Sequence, residues 1–182
     1  MPDKRLLVVG TTADYIDHIS TRYPGRALFI TDPAERAAAV ETDPEPADEL
    51  RSDLQDSRRV LDDLKTHLSR WQMEISGVAC YDCESLGLAA RLAEQMRLPF
   101  PSPSSVSVSR NKFLSKKIWQ SAELYCPDTI IARRFEDVTA FLEQQRRPII
   151  LKPLTGRDTK GIFEFAFKGG KASSTQASIF RN

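Results

Sequence analysis

Two lysines and a glycine-bounded loop are the residues best placed to do chemistry. Lys112 falls near the start of a helical stretch. Lys152 closes the run Pro148-Ile149-Ile150-Leu151, ahead of Pro153. A polar loop follows, in which Thr155 and Gly156 lead through Arg157, Asp158, Thr159 and Lys160 to Gly161. Ammonium groups on rigid elements, beside a loop whose backbone N–H groups can turn toward anionic oxygens, suit the gripping of a polyphosphate. Lys152 is the sharper candidate. Its place after three apolar residues predicts a buried stem, and a buried ammonium without a counterion is costly. Lys112 taken alone reads more readily as a surface side chain.

Other chemistry-bearing residues carry less. Gly10 ends an apolar run but lacks the further glycines of a dinucleotide fingerprint. Cys80-Tyr81-Asp82-Cys83 has C-x-x-C spacing between a strand and a helix, the setting of a redox motif. Asp82 between the two thiols opposes thiolate formation. A zinc site would need a second ligand pair, and only Cys126, His18 and His67 remain for it. Strand-end packing is the plainer reading of the cysteines. Both histidines read as surface or hydrogen-bonded side chains.

The elements that must position the lysines read as α/β. Leu6–Gly10, Ala27–Thr31 and Gly77–Tyr81 are continuous apolar runs, as in strands buried on both faces of a parallel sheet. Tyr15, Ile16 and Ile19 mark a helix between the first two, which gives a right-handed βαβ unit. Residues 39–49 are acidic and proline-containing, an exposed connection. Leu50, Leu54, Leu61, Leu64, Leu68 and Trp71 then predict an amphipathic helix. Asp82 serves as N-cap for a helix with Leu88, Leu92 and Met96 inward, ended by Pro99. Residues 98–103 suggest a short edge segment and a linker. Beyond it the pattern predicts a helix from Val108 to about Ala122, a strand over Thr129–Arg133, and a helix from Glu136 to Gln145. A strand over Pro148–Lys152 hairpins back as Gly161–Phe167. From Lys168 the residues are small and polar without periodicity, which predicts a disordered tail.

Composition narrows the function classes. The 182 residues, 41% hydrophobic and 28% charged, suit an ordinary globular chain. A net charge of +1 makes no electrostatic case for nucleic acid or an anionic membrane as partner. No apolar run approaches the roughly 20 residues of a membrane span. Three cysteines make no disulfide framework, so the cytoplasm is the default location.

The stretch from Gly77 to Gly161 resembles the ATP-grasp ligases. Gly77–Ser85, Leu88–Glu94 and Leu98-Pro99 look like the end of the domain that precedes the grasp in carboxylate–amine ligases. Asn111-Lys112 looks like the first ATP-contacting lysine of the family, and Ile149–Pro153 like the second. Thr155–Gly161 stands where the family has a flexible loop over the phosphates, although Arg157, Asp158 and Thr159 fill places where small residues are common. The resemblance implies a Rossmann-like parallel-sheet pre-ATP-grasp domain (1–104), an incomplete ATP-grasp subdomain (105–167) and the tail (168–182). It implies ATP binding by Lys112, Lys152, Thr155, Gly156, Arg157, Thr159, Lys160 and Gly161. The implied reaction is ATP-dependent and magnesium-dependent joining of a carboxylate to an amine or thiol through an acyl phosphate, with small molecules as substrates. The family's adenine hinge and magnesium ligands lie in the second half of the grasp. Beyond the loop this sequence has Glu164 as its only acid. The resemblance is therefore to an N-terminal portion, expected to be a truncated product and inactive alone. A non-catalytic Rossmann-like binding or regulatory module and, more remotely, a C-x-x-C redox domain are the competing readings, and homo-oligomerisation is left open.

Overall fold

The computed structural model describes residues 3–156, 161–168 and 171–176. The chain divides into two compact units, Met1–Val106 and Ser107–Asn182.

The first unit is built on four parallel strands: β1 (Asp3–Val9), β2 (Ala27–Thr31), β3 (Glu49–Arg51) and β4 (Met73–Ala79). Their order in the sheet is β3-β2-β1-β4. Between them run α1 (Ala13–Arg22), α2 (Pro33–Ala37) and α3 (Ser57–Trp71), and α4 (Leu86–Gln95) follows β4. Successive strand residues face opposite sides of the sheet. Leu7, Val9, Leu28 and Ile30 therefore meet Val60 and Leu64 of α3 and Leu88, Ala89 and Leu92 of α4. Val8, Ala27 and Phe29 meet Ile16 of α1 on the other side. Helices on both faces explain why β2 is buried along all five residues. Gly10 has φ +59°, and a Cβ there would lie 2.0 Å from Ser85 Oγ. The solitary glycine is accounted for by that close approach.

Several boundaries differ from the sequence reading. Leu50 lies on β3, opposite Ile30, and not in a helix. Helix α3 starts seven positions later because Asp56 caps it, accepting from the Arg59 N–H at 3.0 Å. Leu50 and Leu54 still pack on the same core, so their burial was legible while their conformation was not. Strand β4 begins at Met73 and ends before Cys80 and Tyr81. Helix α4 begins after Ser85. Asp82 turns the chain ahead of it, accepting from the Glu84 and Ser85 N–H groups. The edge segment expected over 98–103 is not a strand. His67 is buried and bonds Ala47 O at 2.9 Å, and His18 is exposed.

After α5 (Pro103–Arg110), which runs across the unit boundary, the second unit contains α6 (Lys112–Ser121) and α7 (Phe135–Gln145). Its sheet is antiparallel, β5 (Ile149–Leu151), β6 (Phe163–Lys168) and β7 (Lys171–Gln176), in that order. Val138 and Leu142 of α7 pack on Phe165 of β6, with Ala132, Ile149 and Leu151 beside them. Three corrections apply here. The helix expected from Val108 to Ala122 is two helices, broken at Asn111. No strand forms over Thr129–Arg133. The Asp137 carboxylate takes the N–H groups of Arg133, the last residue of that run, and of Arg134 beyond it, at 2.9 and 3.2 Å. Part of the expected disordered tail is β7, paired with β6 from Lys168 opposite Lys171 to Phe163 opposite Gln176. Residues 169–170 and 177–182 of that tail lie outside the described residues.

Candidate functional site

The site grows from the break between α5 and α6. Asn111 has extended backbone and its side-chain oxygen accepts from the N–H groups of Phe113 and Leu114, at 3.1 and 3.0 Å. An asparagine offers the backbone this local alternative to helix continuation, so one helix ends and another starts. The Ser115 hydroxyl donates to Val108 O at 2.8 Å and Asn111 O at 3.0 Å, fixing the elbow.

Lys112 thereby becomes the first residue of α6. Its N–H donates to Leu154 O at 3.0 Å, and its Nζ donates to Gly156 O at 3.3 Å. The helix start is tied twice to the segment that leaves β5. Lys116 stands one turn further along the same face. Lys152 directly follows β5, whose register on β6 sets Leu151 opposite Phe163. The three lysines line one cavity of about 650 Å3. Its walls are largely apolar, with Phe113, Ile131, Phe141 and Ile149 among them, and Tyr125 and Arg147 contribute as well. Asp128 is the acid that lines it, and its carboxylate accepts from the Gln145 side-chain amide at 3.2 Å.

The electrostatics are one-sided. Partial desolvation, and then the ammonium groups of Lys116 and Lys112, hold the Lys152 pKa below its ordinary value of 10.5. Both charged groups acting on it are cations, although Asp128 lines the same cavity. The expected burial of the Lys152 stem is corrected: the side chain is exposed, as is Ile150 at 52%. β5 lies at an edge of a three-stranded sheet, with Ile149 and Leu151 half-buried on either side of Ile150. Partial desolvation and like charge, not deep burial, disfavour the charged form of Lys152.

The other expected site residues divide. Thr155 and Gly156 are described and exposed, just past the lining, and Gly156 contributes its carbonyl to Lys112. Gly161 has φ +73°, a conformation suited to glycine, and a Cβ there would sit 3.2 Å from Pro153 Cγ. Arg157, Thr159 and Lys160, with Asp158, lie outside the described residues. Lys116 was missed, although its i+4 spacing from Lys112 was a usable signal. Ile131 was assigned to a strand and instead lines the cavity.

The donor set for magnesium is a different matter. Among the described residues no cluster of three His, Cys, Asp or Glu side chains is placed to hold a metal ion. The cysteine motif is held by local hydrogen bonds. Cys80 Sγ donates to Asp82 O at 3.1 Å, and the Asp82 carboxylate, bonded to Ser85 Oγ at 2.7 Å, leaves a negative charge between the thiols.

The architecture has known counterparts. The L-amino acid ligase of Bacillus licheniformis matches 92% of this chain with a TM-score of 0.64 and 19% identity, over 40% of its own length. An N5-carboxyaminoimidazole ribonucleotide synthetase in complex with ADP matches 93% with a TM-score of 0.62 and 17% identity, over 43% of its length. The Staphylococcus aureus N5-carboxyaminoimidazole synthetase complexed with ADP matches 90% with a TM-score of 0.57 and 14% identity, over 42% of its length. The fold is that of the N-terminal portion of ATP-grasp ligases. The chain spans about two fifths of the length of these structures. Neither a protein-family model nor a curated protein matches it in sequence.

Proposed function

We propose that this chain is the N-terminal portion of an ATP-dependent carboxylate–amine, or carboxylate–thiol, ligase, and that its second unit is one jaw of the nucleotide clamp. The observation that carries this reading is the convergence of Lys112, Lys116 and Lys152 on one largely apolar cavity, with Lys116 and Lys112 lowering the pKa of Lys152. Cations fixed in a partly desolvated pocket stabilise phosphoryl oxygens far better than cations in water. The apolar walls offer a surface for a flat base. Lys112 and Lys152 hold phosphate oxygens in this reading, Lys116 adds charge, and the 155–161 loop, with Thr155, Gly156, Arg157, Thr159, Lys160 and Gly161, closes over them.

The chemistry ATP supplies in such a ligase is activation of a carboxylate as an acyl phosphate, which an amine or thiol then displaces. Magnesium would be held by parts outside the described chain. The L-amino acid ligase and the aminoimidazole ribonucleotide synthetases among the matched structures are the precedent for small-molecule substrates. With one jaw only, the chain alone binds nucleotide weakly and turns nothing over.

Equilibrium binding of ATP to this chain tests the proposal. The expected Kd is about 1 mM or weaker, roughly −4 kcal/mol. Lys152→Ala and Lys112→Ala each weaken it further by about 1 kcal/mol, roughly fivefold, through loss of a charge-assisted contact. Folded protein whose ATP affinity ignores both substitutions contradicts the clamp and favours a non-catalytic module.

A further inference from the structure

The run Thr129–Arg133 has the β-branched residues of a strand, yet none of the described strands pairs with it. A partner lies close by. β5 has one neighbour in its sheet, β6, so its other edge presents N–H and C=O groups without a ladder. Ile149, Ile150 and Leu151 point to alternate faces, and all three line the cavity, which therefore lies against that open edge. Ile130, Ile131 and Ala132 line the same cavity. Among the described residues, no backbone hydrogen bond reaches any of those three. The direction of the run is set at both ends of α7. Asp128 accepts from the side-chain amide of Gln145, the last residue of that helix, and Asp137 in its first turn holds the N–H groups of Arg133 and Arg134. The run is thus antiparallel to α7. β5 follows α7 after residues 146–148 and returns along it, with Ile149 and Leu151 packed on Val138 and Leu142. Run and β5 therefore point the same way, as in a βαβ unit with α7 as its crossover. The faces agree too. Ala132 already packs on the core beside Ile149 and Leu151, while Ile131 and Ile150 are 43% and 52% exposed.

We propose that Thr129–Arg133 is a latch strand, which pairs in parallel with the open edge of β5, adds a fourth strand to the sheet and closes the cavity between them. Paired strands lie about 4.8 Å apart, which leaves no room for a ligand between them. Pairing gives the edge of β5 its missing ladder and brings Ile131 beside Ile150. Ladder and ligand exclude one another, so polyphosphate held by Lys112, Lys116 and Lys152 keeps the latch open. That gating rests on the nucleotide reading of the cavity. The pairing does not.

Residue-resolved amide exchange of the whole chain, with and without tripolyphosphate, tests this. In a ladder only alternate N–H groups of an edge strand face its neighbour. Without ligand, the expected result is protection either at Ile131 or at Ile130 and Ala132, never at all three, by at least about tenfold over an open chain. Saturating tripolyphosphate should remove it. Proline deletes the ladder donor only where the N–H faces β5, so one of Ile130→Pro and Ile131→Pro should abolish the protection and the other should leave it. The variant that abolishes it should bind tripolyphosphate several-fold more tightly, because no ladder has to open first. A protected Leu142 amide in α7 shows that each variant is folded. Amides of the run exchanging at open-chain rates, or folded proline variants that act alike, overturn the pairing. Protection that survives bound tripolyphosphate overturns the gate. A chain that binds no tripolyphosphate refutes the nucleotide reading and the gate with it, while the exchange pattern of the free chain still decides the pairing.

Discussion

Lys152 is the proposed phosphate ligand, and it is not deeply buried. Its ammonium is discouraged by partial desolvation and by Lys116 and Lys112, so a bound polyphosphate must raise its pKa back toward the ordinary lysine value. The sign of the pH effect follows. A group whose pKa rises on binding takes up a proton, so affinity is full below the pKa of the free site. It declines as the pH climbs from that value toward the pKa of the complex. We predict that polyphosphate affinity of the chain starts to fall at a pH below the usual lysine range. Lys152→Arg, which stays charged, should flatten that profile in a titration of affinity against pH. The pair Lys112 and Lys152 was legible in the sequence because each stands beside a strong local signal, a helix start and a strand end. Lys116 was not, because a helical lysine acquires meaning only when something across the cavity shares its charge problem.

At the scale of elements, the α5–α6 elbow is what places Lys112. Asn111 is its hinge, and losing an N-cap side chain costs about 1 kcal/mol. Asn111→Ala should lower the melting temperature of the second unit and weaken ATP binding together, as Lys112 loses its fixed place at Leu154 O and Gly156 O. A melting shift with unchanged ATP affinity would show that the elbow does not position the lysine. The elbow was hidden in the sequence, since Val108 to Ala122 keeps helical spacing through the break. Strands β1 and β2 were legible as continuous apolar runs because helices cover both faces of that sheet. Strand β3 was not, as three residues define a strand only through the partner at Phe29–Thr31. The Thr129–Arg133 run failed for the converse reason: β-branched residues favour a strand, but a strand needs a ladder, and none of the described strands pairs with this run. Strand β7 had one available sign, Gly169-Gly170 between the alternating run that ends at Lys168 and a small polar segment, which is a two-residue hairpin signature.

At the scale of the whole molecule the two units are unequally built. The first has a continuous core on both faces of its sheet. The second fully buries Val138, Leu142 and Phe165, while Ile118, Trp119, Tyr125, Phe135 and Ile150 remain exposed. Few buried contacts mean low local stability. Hydrogen exchange should find the slowest amides in β1, β2 and β4, with those of β5 and α6 exchanging through easier openings; equal protection in both units would contradict this. The claim at the centre is that the second unit holds polyphosphate between α6 and the end of β5. The most direct measurement is a two-dimensional amide NMR titration of the whole chain with ATP. The account predicts salt-sensitive shifts confined to residues near Lys112, Lys116 and Lys152, with the amides of the first unit unmoved. Shifts centred on the β1–α1 turn at Gly10, or none at millimolar ATP, would contradict it.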